Sequence, residues 1–494
     1  MKYHNIEPNP AALLSSLRDI GYNVETAIED LIDNSITAKA SRIDIRMIWN
    51  SGEPWMGILD NGGGMTDAGL KKAMTLAGNN PLEQRDENDL GRFGLGLKTA
   101  SFSQCKKLTV ITFNNKQLSA AEIDLVEVEK NSDKGFRVGI LEDGDIQSLK
   151  VLKRDFSEFL ASKQGTLVLW QNMDRIDSFD SITSRERKFE TMRSNVKDRI
   201  QLTFHRFMKQ ENNNPKVEII FNKDILKHFD PFNSNNLKTQ ELHEKTLKLN
   251  SKKIVAQAYI LPHHSIGEAE YKKYELKGGY FMNQGFYVYR NRRLITRGTW
   301  LRLTHRSELT KLVRVRIDIP NTLDDILRVN VMKSSLALPE TLKDQLNEVL
   351  EQIRDAGIQV YRKRARRVIS SVAEPMWIRN KKGGKISYEI NQDSRLITSI
   401  KDSLNDDQSD NFLLLLSSLE SCFPTMPLFN DLANNPSDLE QRSISEEELE
   451  RIFNLFKHDI LNNETTIESL LKIDPFASNQ KQTKKLVNDL GIKP

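Results

Sequence analysis

Thiols are nearly absent from this chain. Its two cysteines, Cys105 and Cys422, lie far apart. That excludes a disulfide framework and a cysteine metal cluster, and it fits a reducing compartment. Neither sign of charge dominates: 72 Lys and Arg against 68 Asp and Glu leave a net charge of +4. Bulk electrostatics alone therefore do not mark a nucleic-acid binder. Long apolar runs are missing too. The longest, FLLLL at 412–416, is far too short to span a bilayer. The opening stretch MKYHNIEPNPAAL has no apolar core of signal-peptide length. These absences lead us to expect a soluble, cytoplasmic protein with no membrane partner. There is also no internal repeat.

What is present suggests two to four domains over 494 residues. Residues 1–175 alternate helix-like and strand-like segments with glycine-rich turns, as an α/β sandwich does. Residues 176–340 open with a charged helix and continue with the strand-like runs VEIIF, KIVAQAYIL, GFYVYR and VRVRIDI. From 341 onward a helical pattern takes over. Leu342, Leu346, Val349, Ile353, Ala356 and Val360 recur at spacings of three and four, an apolar stripe on one helix face. The string YRKRARR follows at 361–367, and KKGGK at 381–385 reads as an exposed turn. Further on, Ser445 with Glu448 three residues later is a capping-box signature.

Four segments carry chemistry. The first, AIEDLIDNSITAKA at 27–40, places Asp30 and Asn34 four apart, on one side of a helix. Asn34 can offer an oxygen to a phosphate-bridging Mg²⁺. Asp30 can orient or deprotonate a water. Taken alone, such a pair reads first as a solvated helix surface. The second, MGILDNGGGMT at 56–66, ends a strand on Asp60, a hydrogen-bond acceptor suited to an adenine amino group. Its three glycines let a ligand approach the main chain, although Asp-Asn-Gly is also a hairpin turn. The third, DLGRFGLGLKTASFS at 89–103, leads a glycine loop into a helix N-terminus, where N–H groups and the dipole favour an anion. Lys98 adds a point charge. Residues 67–90 before it are loop-rich in their second half and suit a mobile lid. The fourth, QGTLVLW at 164–170, reads as a buried strand preceded by Gly165 and Thr166.

In this order and spacing the four segments resemble the GHKL ATPase superfamily: gyrase B, the heat-shock chaperone ATPases, histidine kinases and MutL. The likeness covers roughly the first 175 residues. It implies an α/β (α+β) fold whose N-terminal two-layer α/β sandwich is the Bergerat ATP-binding fold, with ATP and Mg²⁺ as cofactors. Asn34 matches the Mg²⁺-ligating asparagine and Asp60 the adenine-reading aspartate. Gly62, Gly64 and Met65 fall beside the base. Gly91, Gly94, Leu95, Gly96 and Lys98 match the phosphate-cradling lid, and Thr166 the last-motif threonine. The family's general base is a glutamate four residues before the asparagine. Asp30 stands there, shorter by one methylene. Glu29 precedes it, rotated by about 100° around the helix.

The second region narrows the likeness. NQGFYVYRNRRLITRGTW at 283–300 resembles the strand–turn–strand of MORC ATPases. In these and MutL-like relatives a ribosomal-protein-like α/β transducer domain follows and sends a lysine to the γ-phosphate. RVNVMKSSLALPE at 328–340 is similar to that loop, which makes Lys333 the candidate catalytic lysine. The resemblance implies an ATP-dependent homodimer, an ATP-gated clamp with slow hydrolysis. Its setting would be DNA-related, such as bacterial anti-phage defence, restriction or repair. Residues 290–316 hold nine Lys or Arg against one acid, Glu308. They make non-specific DNA contact one reading, and a merely solvated face the other. A helical C-terminal region at 341–494 would dock a protein partner. The alternative is a non-hydrolysing nucleotide sensor or a chaperone-like ATPase regulating a partner.

Overall fold

The computed structural model describes residues 9–19, 21–75, 96–131, 135–176, 181–211, 214–262, 267–324, 326–327, 338–353, 374–382, 385–428, 442, 444–456 and 467–489. The chain forms two compact units, Met1–Arg354 and Asp355–Pro494, of mixed α/β structure.

The first unit begins with helices α1 (Pro10–Arg18) and α2 (Val24–Thr37). Strands β1 (Arg42–Ile48) and β2 (Trp55–Asp60), α3 (Asp67–Met74) and α4 (Gly96–Gln104) follow. Then come β3 (Lys107–Asn114), β4 (Gln117–Asp124), α5 (Leu125–Lys130) and β5 (Gly139–Ile140). Three short helices, α6 (Asp143–Ser148), α7 (Lys150–Asp155) and α8 (Ser157–Ser162), precede β6 (Gly165–Gln171) and the long α9 (Ile182–Thr203). With β7 (Glu218–Phe221) and β8 (Asp224–Ile225) these strands make one eight-stranded sheet in the order β5-β4-β3-β6-β2-β1-β7-β8.

Helix α2 forms because Asn23 caps it, its side chain accepting the Thr26 N–H at 2.8 Å, a contact that contributes about 1 kcal/mol. Val24, Ala27, Ile28, Leu31 and Ile32 are all buried. They pack with Phe102 of α4 and with Phe189 and Val196 of α9 onto Ile43, Ile45 and Val110 of the sheet. To this helix-on-sheet sandwich the structure adds a cover on the other face. Ile146, Leu152, Phe156 and Phe159 of α6 to α8 bury Trp55, Ile111, Leu167 and Leu169. That is why β3 and β6 are buried on both faces rather than alternately.

The strand-like run VEIIF, within 176–340, supplies residues 218–221 as β7, parallel to β1. Ile219 and Phe221 complete the first core. The first sheet therefore reaches past residue 175.

The second sheet holds β9 (Gln240–Glu241), β10 (Lys245–Leu249), β11 (Lys252–Ile260), β12 (Gly285–Arg290), β13 (Arg293–Thr299) and β14 (Val313–Ile319). Its order is β10-β11-β14-β12-β13, with β9 on β11. Tyr259, Tyr287, Tyr289, Phe232 and Leu202 fill its core. Leu342, Leu346, Val349 and Ile353 are buried on a helix over 340–353, as the periodicity predicts. That helix lies within the first unit, Met1–Arg354. The Lys245 ammonium meets Glu348 at 2.7 Å, and Gln345 Oε1 accepts the Lys248 N–H at 2.9 Å. Ala356, Val360 and 361–367 lie outside the described residues.

Four hairpins turn on two-residue loops with both φ angles positive: Asn115-Lys116, Asn222-Lys223, Asn250-Ser251 and Asn291-Arg292. Each begins with asparagine, which tolerates this geometry and matches the strand twist.

The second unit contains the antiparallel pair β15 (Trp377–Lys382) and β16 (Lys385–Ile390), in addition to the expected helices. Leu396, Leu449, Phe453, Phe456, Phe476 and Val487 form its core. The capping box is present: Ser445 Oγ accepts the Glu448 N–H at 3.1 Å, and Glu448 Oε2 accepts the Ser445 N–H at 3.0 Å. Among the described residues no helix is long and apolar enough to cross a membrane.

At Gly165 φ is +95°, and a Cβ there would lie 1.8 Å from the Asp60 carbonyl oxygen. Gly165→Ala is expected to cost about 3 kcal/mol or more in urea unfolding, from strain plus overpacking. A loss below about 1 kcal/mol would show that the β2–β6 strand ends can part.

Candidate functional site

The site is built on the end of β2. Asp60 is its last residue and is buried. Its Oδ1 accepts the Gly62 N–H at 2.9 Å, and its Oδ2 accepts from Ser35 Oγ of α2 at 3.0 Å. Burial pushes the carboxyl up to about 6, against the opposing pull of the Gly62 N–H, the Ser35 hydroxyl and the Thr166 N–H.

The glycines after Asp60 answer to close packing. A Cβ at Gly62 would meet the Ala38 carbonyl oxygen at 2.7 Å. Gly64 has φ +65°, and a Cβ would fall 1.8 Å from the Phe113 carbonyl oxygen. The loop is thus clamped between the end of α2 and the end of β3. Gly63 donates its N–H to Ala38 O at 3.1 Å, and Asn114 Nδ2 donates to Gly63 O at 3.0 Å. Thr112 is a residue that the sequence reading missed. Its hydroxyl accepts the Met65 N–H at 2.9 Å and lies 3.0 Å from Thr166 Oγ1. The available signal was a polar side chain inside the apolar run of β3. Thr166 itself pairs with Asp60 in the β2–β6 register.

On α2, Asp30 is buried while Asn34 is exposed. Among the described residues the Asn34 amide has no hydrogen-bond partner. Asp30 is oriented by Tyr22, whose hydroxyl donates to Oδ2 at 2.8 Å. Burial, the Asp30 charge and this hydrogen bond hold the phenol above its ordinary value, so it remains a donor. Tyr22 was also missed, because nothing local marks a tyrosine before a helix as a partner to it. Gly96, at the start of α4, sits against Asp30: a Cβ there would lie 3.5 Å from Oδ2.

Glu29 is committed elsewhere. Its Oε1 accepts from Arg199 Nε and from Thr203 Oγ1, each at 2.6 Å, and Arg293 Nη2 meets Oε2 at 3.3 Å. Only 1 % of its side chain is exposed. This geometry leaves Asp30 as the carboxylate beside Asn34.

Lys98 is expected on phosphate. It is buried, and its Nζ donates to the Ala73 carbonyl at 2.7 Å. In this arrangement its charge caps the last turn of α3. Burial brings its ammonium down to about 8. Gly91, Gly94 and Leu95 of the lid, and Lys333, lie outside the described residues.

Part of the basic stretch at 290–316 is engaged within the fold. Arg290 pairs with Asp324 at 2.7 Å, Arg293 with Asp33 at 2.7 Å and Lys311 with Glu308 at 2.7 Å. Arg314 is buried on the Pro231 and Tyr274 carbonyls. Arg290, Arg293 and Lys311 thus have counter-charges within the fold.

Residues 22–158 match the family described as histidine kinase-, DNA gyrase B-, and HSP90-like ATPase. The N-terminal domain belongs to the GHKL ATPase superfamily. No curated protein matches the chain. The matched segment holds Tyr22, Asp30, Asn34, Asp60, the clamped glycines and Thr112. An ATPase domain of this kind binds ATP, and the donor set fits it. A buried acceptor at Asp60 stands beside a glycine loop with no room for side chains, and α2 offers a free amide oxygen at Asn34, of the hard type that Mg²⁺ takes.

The Asp60 carboxyl has a folded value of about 6 against an ordinary 3.8. Folding therefore favours its protonated form. The contribution is most favourable below 3.8 and is lost as pH rises through 6. Relative to Asp60→Asn, the wild-type protein should gain roughly 2–3 kcal/mol of stability between pH 7 and pH 4 in paired denaturation curves. A flat difference would show that Asp60 is not desolvated.

Proposed function

We propose that the chain is a Mg²⁺-dependent ATPase that works as an ATP-gated dimeric clamp. The observation that carries the ATPase reading is the division of labour on α2. Glu29 is held by cations, whereas Asp30 is oriented by Tyr22 beside Gly96 and the Asn34 amide has no partner among the described residues. Ser35, the next residue, is bonded to Asp60, so the two halves of the site share one helix.

Asp60, Gly62, Gly64, Met65 and Thr166 hold the base. Asn34 holds the ion, which would neutralise the bridging phosphate oxygens. Asp30 positions the attacking water and takes its proton. Gly91, Gly94, Leu95 and Gly96 cradle the phosphates, and Lys333 contacts the γ-phosphate from the second region. The homodimeric clamp, a DNA-related role in defence, restriction or repair, and a cytoplasmic setting rest on the resemblance. So does a protein partner for the C-terminal region.

The shorter carboxylate of Asp30 favours one other reading, a sensor that binds ATP without turnover. Phosphate release separates the two. Asp30→Asn should lower the rate by about 100-fold or more, the range for losing a general base. Its affinity for a non-hydrolysable ATP analogue should stay within about threefold of wild type. Wild-type protein that binds ATP yet releases no phosphate, with or without DNA, would leave the sensor reading standing.

A further inference from the structure

Helix α2 buries three carboxylates within two turns: Glu29, Asp30 and Asp33. Glu29 and Asp33 are four apart and share a face; Asp30 and Asn34 share the neighbouring one. The cations on the Glu29–Asp33 face come from beyond the ATPase segment. Arg293 is buried to 1 % exposure, with Nε 2.7 Å from Asp33 Oδ2 and Nη2 3.3 Å from Glu29 Oε2. One planar fork thus spans two carboxylates a helical turn apart, which a lysine cannot reproduce. Burial would lower its basicity, but Asp33, Glu29 and Asp30 more than offset this and hold the guanidinium charged.

Arg293 is the first residue of β13, immediately after the Asn291-Arg292 turn. On the other side of that turn, Arg290 ends β12 and is also buried. Its Nε donates to Asp324 at 2.8 Å, and its Nη2 meets the same carboxylate at 2.7 Å. Asp324 lies at the entrance to 328–340, the stretch that contains Lys333. Arg292, in the turn itself, stacks 4.6 Å over the Phe207 ring and donates to the Arg206 carbonyl. The tip of this hairpin therefore grips the ATPase helix with one arginine and the Asp324 turn with another.

We infer that the β12–β13 tip is a mechanical relay, with Arg293 and Arg290 as positioning residues that set α2 and the Asp324 turn relative to each other. The inference rests on the reading of Asp30 and Asn34 as the nucleotide face of α2. A shift of α2 under bound nucleotide moves Glu29 and Asp33 with it. The fork carries that shift to the hairpin, and Arg290 passes it to Asp324. The coupling is reciprocal: the hairpin sets where α2 holds Asp30 and Asn34.

The test uses the full chain. Arg293→Met strands two buried carboxylates and is expected to unfold readily, so the decisive variant is Glu29→Gln/Asp33→Asn/Arg293→Met, which removes the charges together. Arg293→Lys keeps one charge without the fork. Both should fold and bind a non-hydrolysable ATP analogue within about threefold of wild type, with kcat lowered about tenfold or more. In wild type the analogue should slow hydrogen exchange over 285–299 and 321–324; in the triple variant that response should vanish. A triple variant with wild-type kcat and an intact exchange response overturns the relay and leaves the ATPase reading in place. Wild-type protein that binds the analogue without turnover overturns the catalytic reading, and the exchange arm still decides the relay. Wild-type protein that binds no analogue overturns both.

Discussion

Arg293 supplies a permanent positive charge at the one place where α2 would otherwise bury Glu29 and Asp33 without a compensating fork. Breaking a buried pair by removing one partner typically costs about 3–5 kcal/mol, because the charge left behind cannot reach water. The same ion network locks the rotation of α2. With Glu29 and Asp33 held by Arg293, Arg199 and Thr203, the Asp30–Asn34 face is directed away from them. Which acids of α2 are committed to ion pairs is therefore decided by the second sheet and α9, not by the helix that carries them.

The other half of the site depends on close approach rather than charge. Gly62 and Gly64 leave no room for a Cβ against Ala38 and Phe113. The Asp60 loop is wedged between the exit of α2 and the end of β3. Ser35 and Thr166 then hold the Asp60 carboxylate from two sides. Burial raises its proton affinity while those donors oppose the rise, so the acceptor is desolvated yet oriented. Desolvated acceptors discriminate strongly, because a ligand without a matching donor leaves them unpaired.

Much of this was legible locally. Asp30 with Asn34, Asp60 with its glycines, the capping box at Ser445 and the stripe from Leu342 to Ile353 are short-range patterns with short-range causes. The Asn-led turns were equally available as signals. The basic stretch at 290–316 could not be read locally, for a related reason. A run of arginines looks the same whether it faces solvent or carboxylates. Only the fold brings Asp33, Asp324 and Glu308 to it. The strand 218–221 shows the same limit: its β character is intrinsic, but its parallel pairing with β1 is not.

The sequence by itself determined the element types, the family likeness of the first domain and the residue types at Asp30, Asn34 and Asp60. Those follow from periodicity, turn chemistry and motif order along one chain. Tertiary structure decided which carboxylates of α2 pair with arginines, why the glycines are required, and where the arginines of the hairpin go. Each of these depends on groups far apart in sequence: Tyr22 with Asp30 across a helix start, Thr112 with Met65 across strands, Arg293 with Asp33 across two sheets. Hydrogen bonds and ion pairs are made through space, and no spacing within α2 could announce that its counter-charge waits at the tip of a hairpin in another sheet.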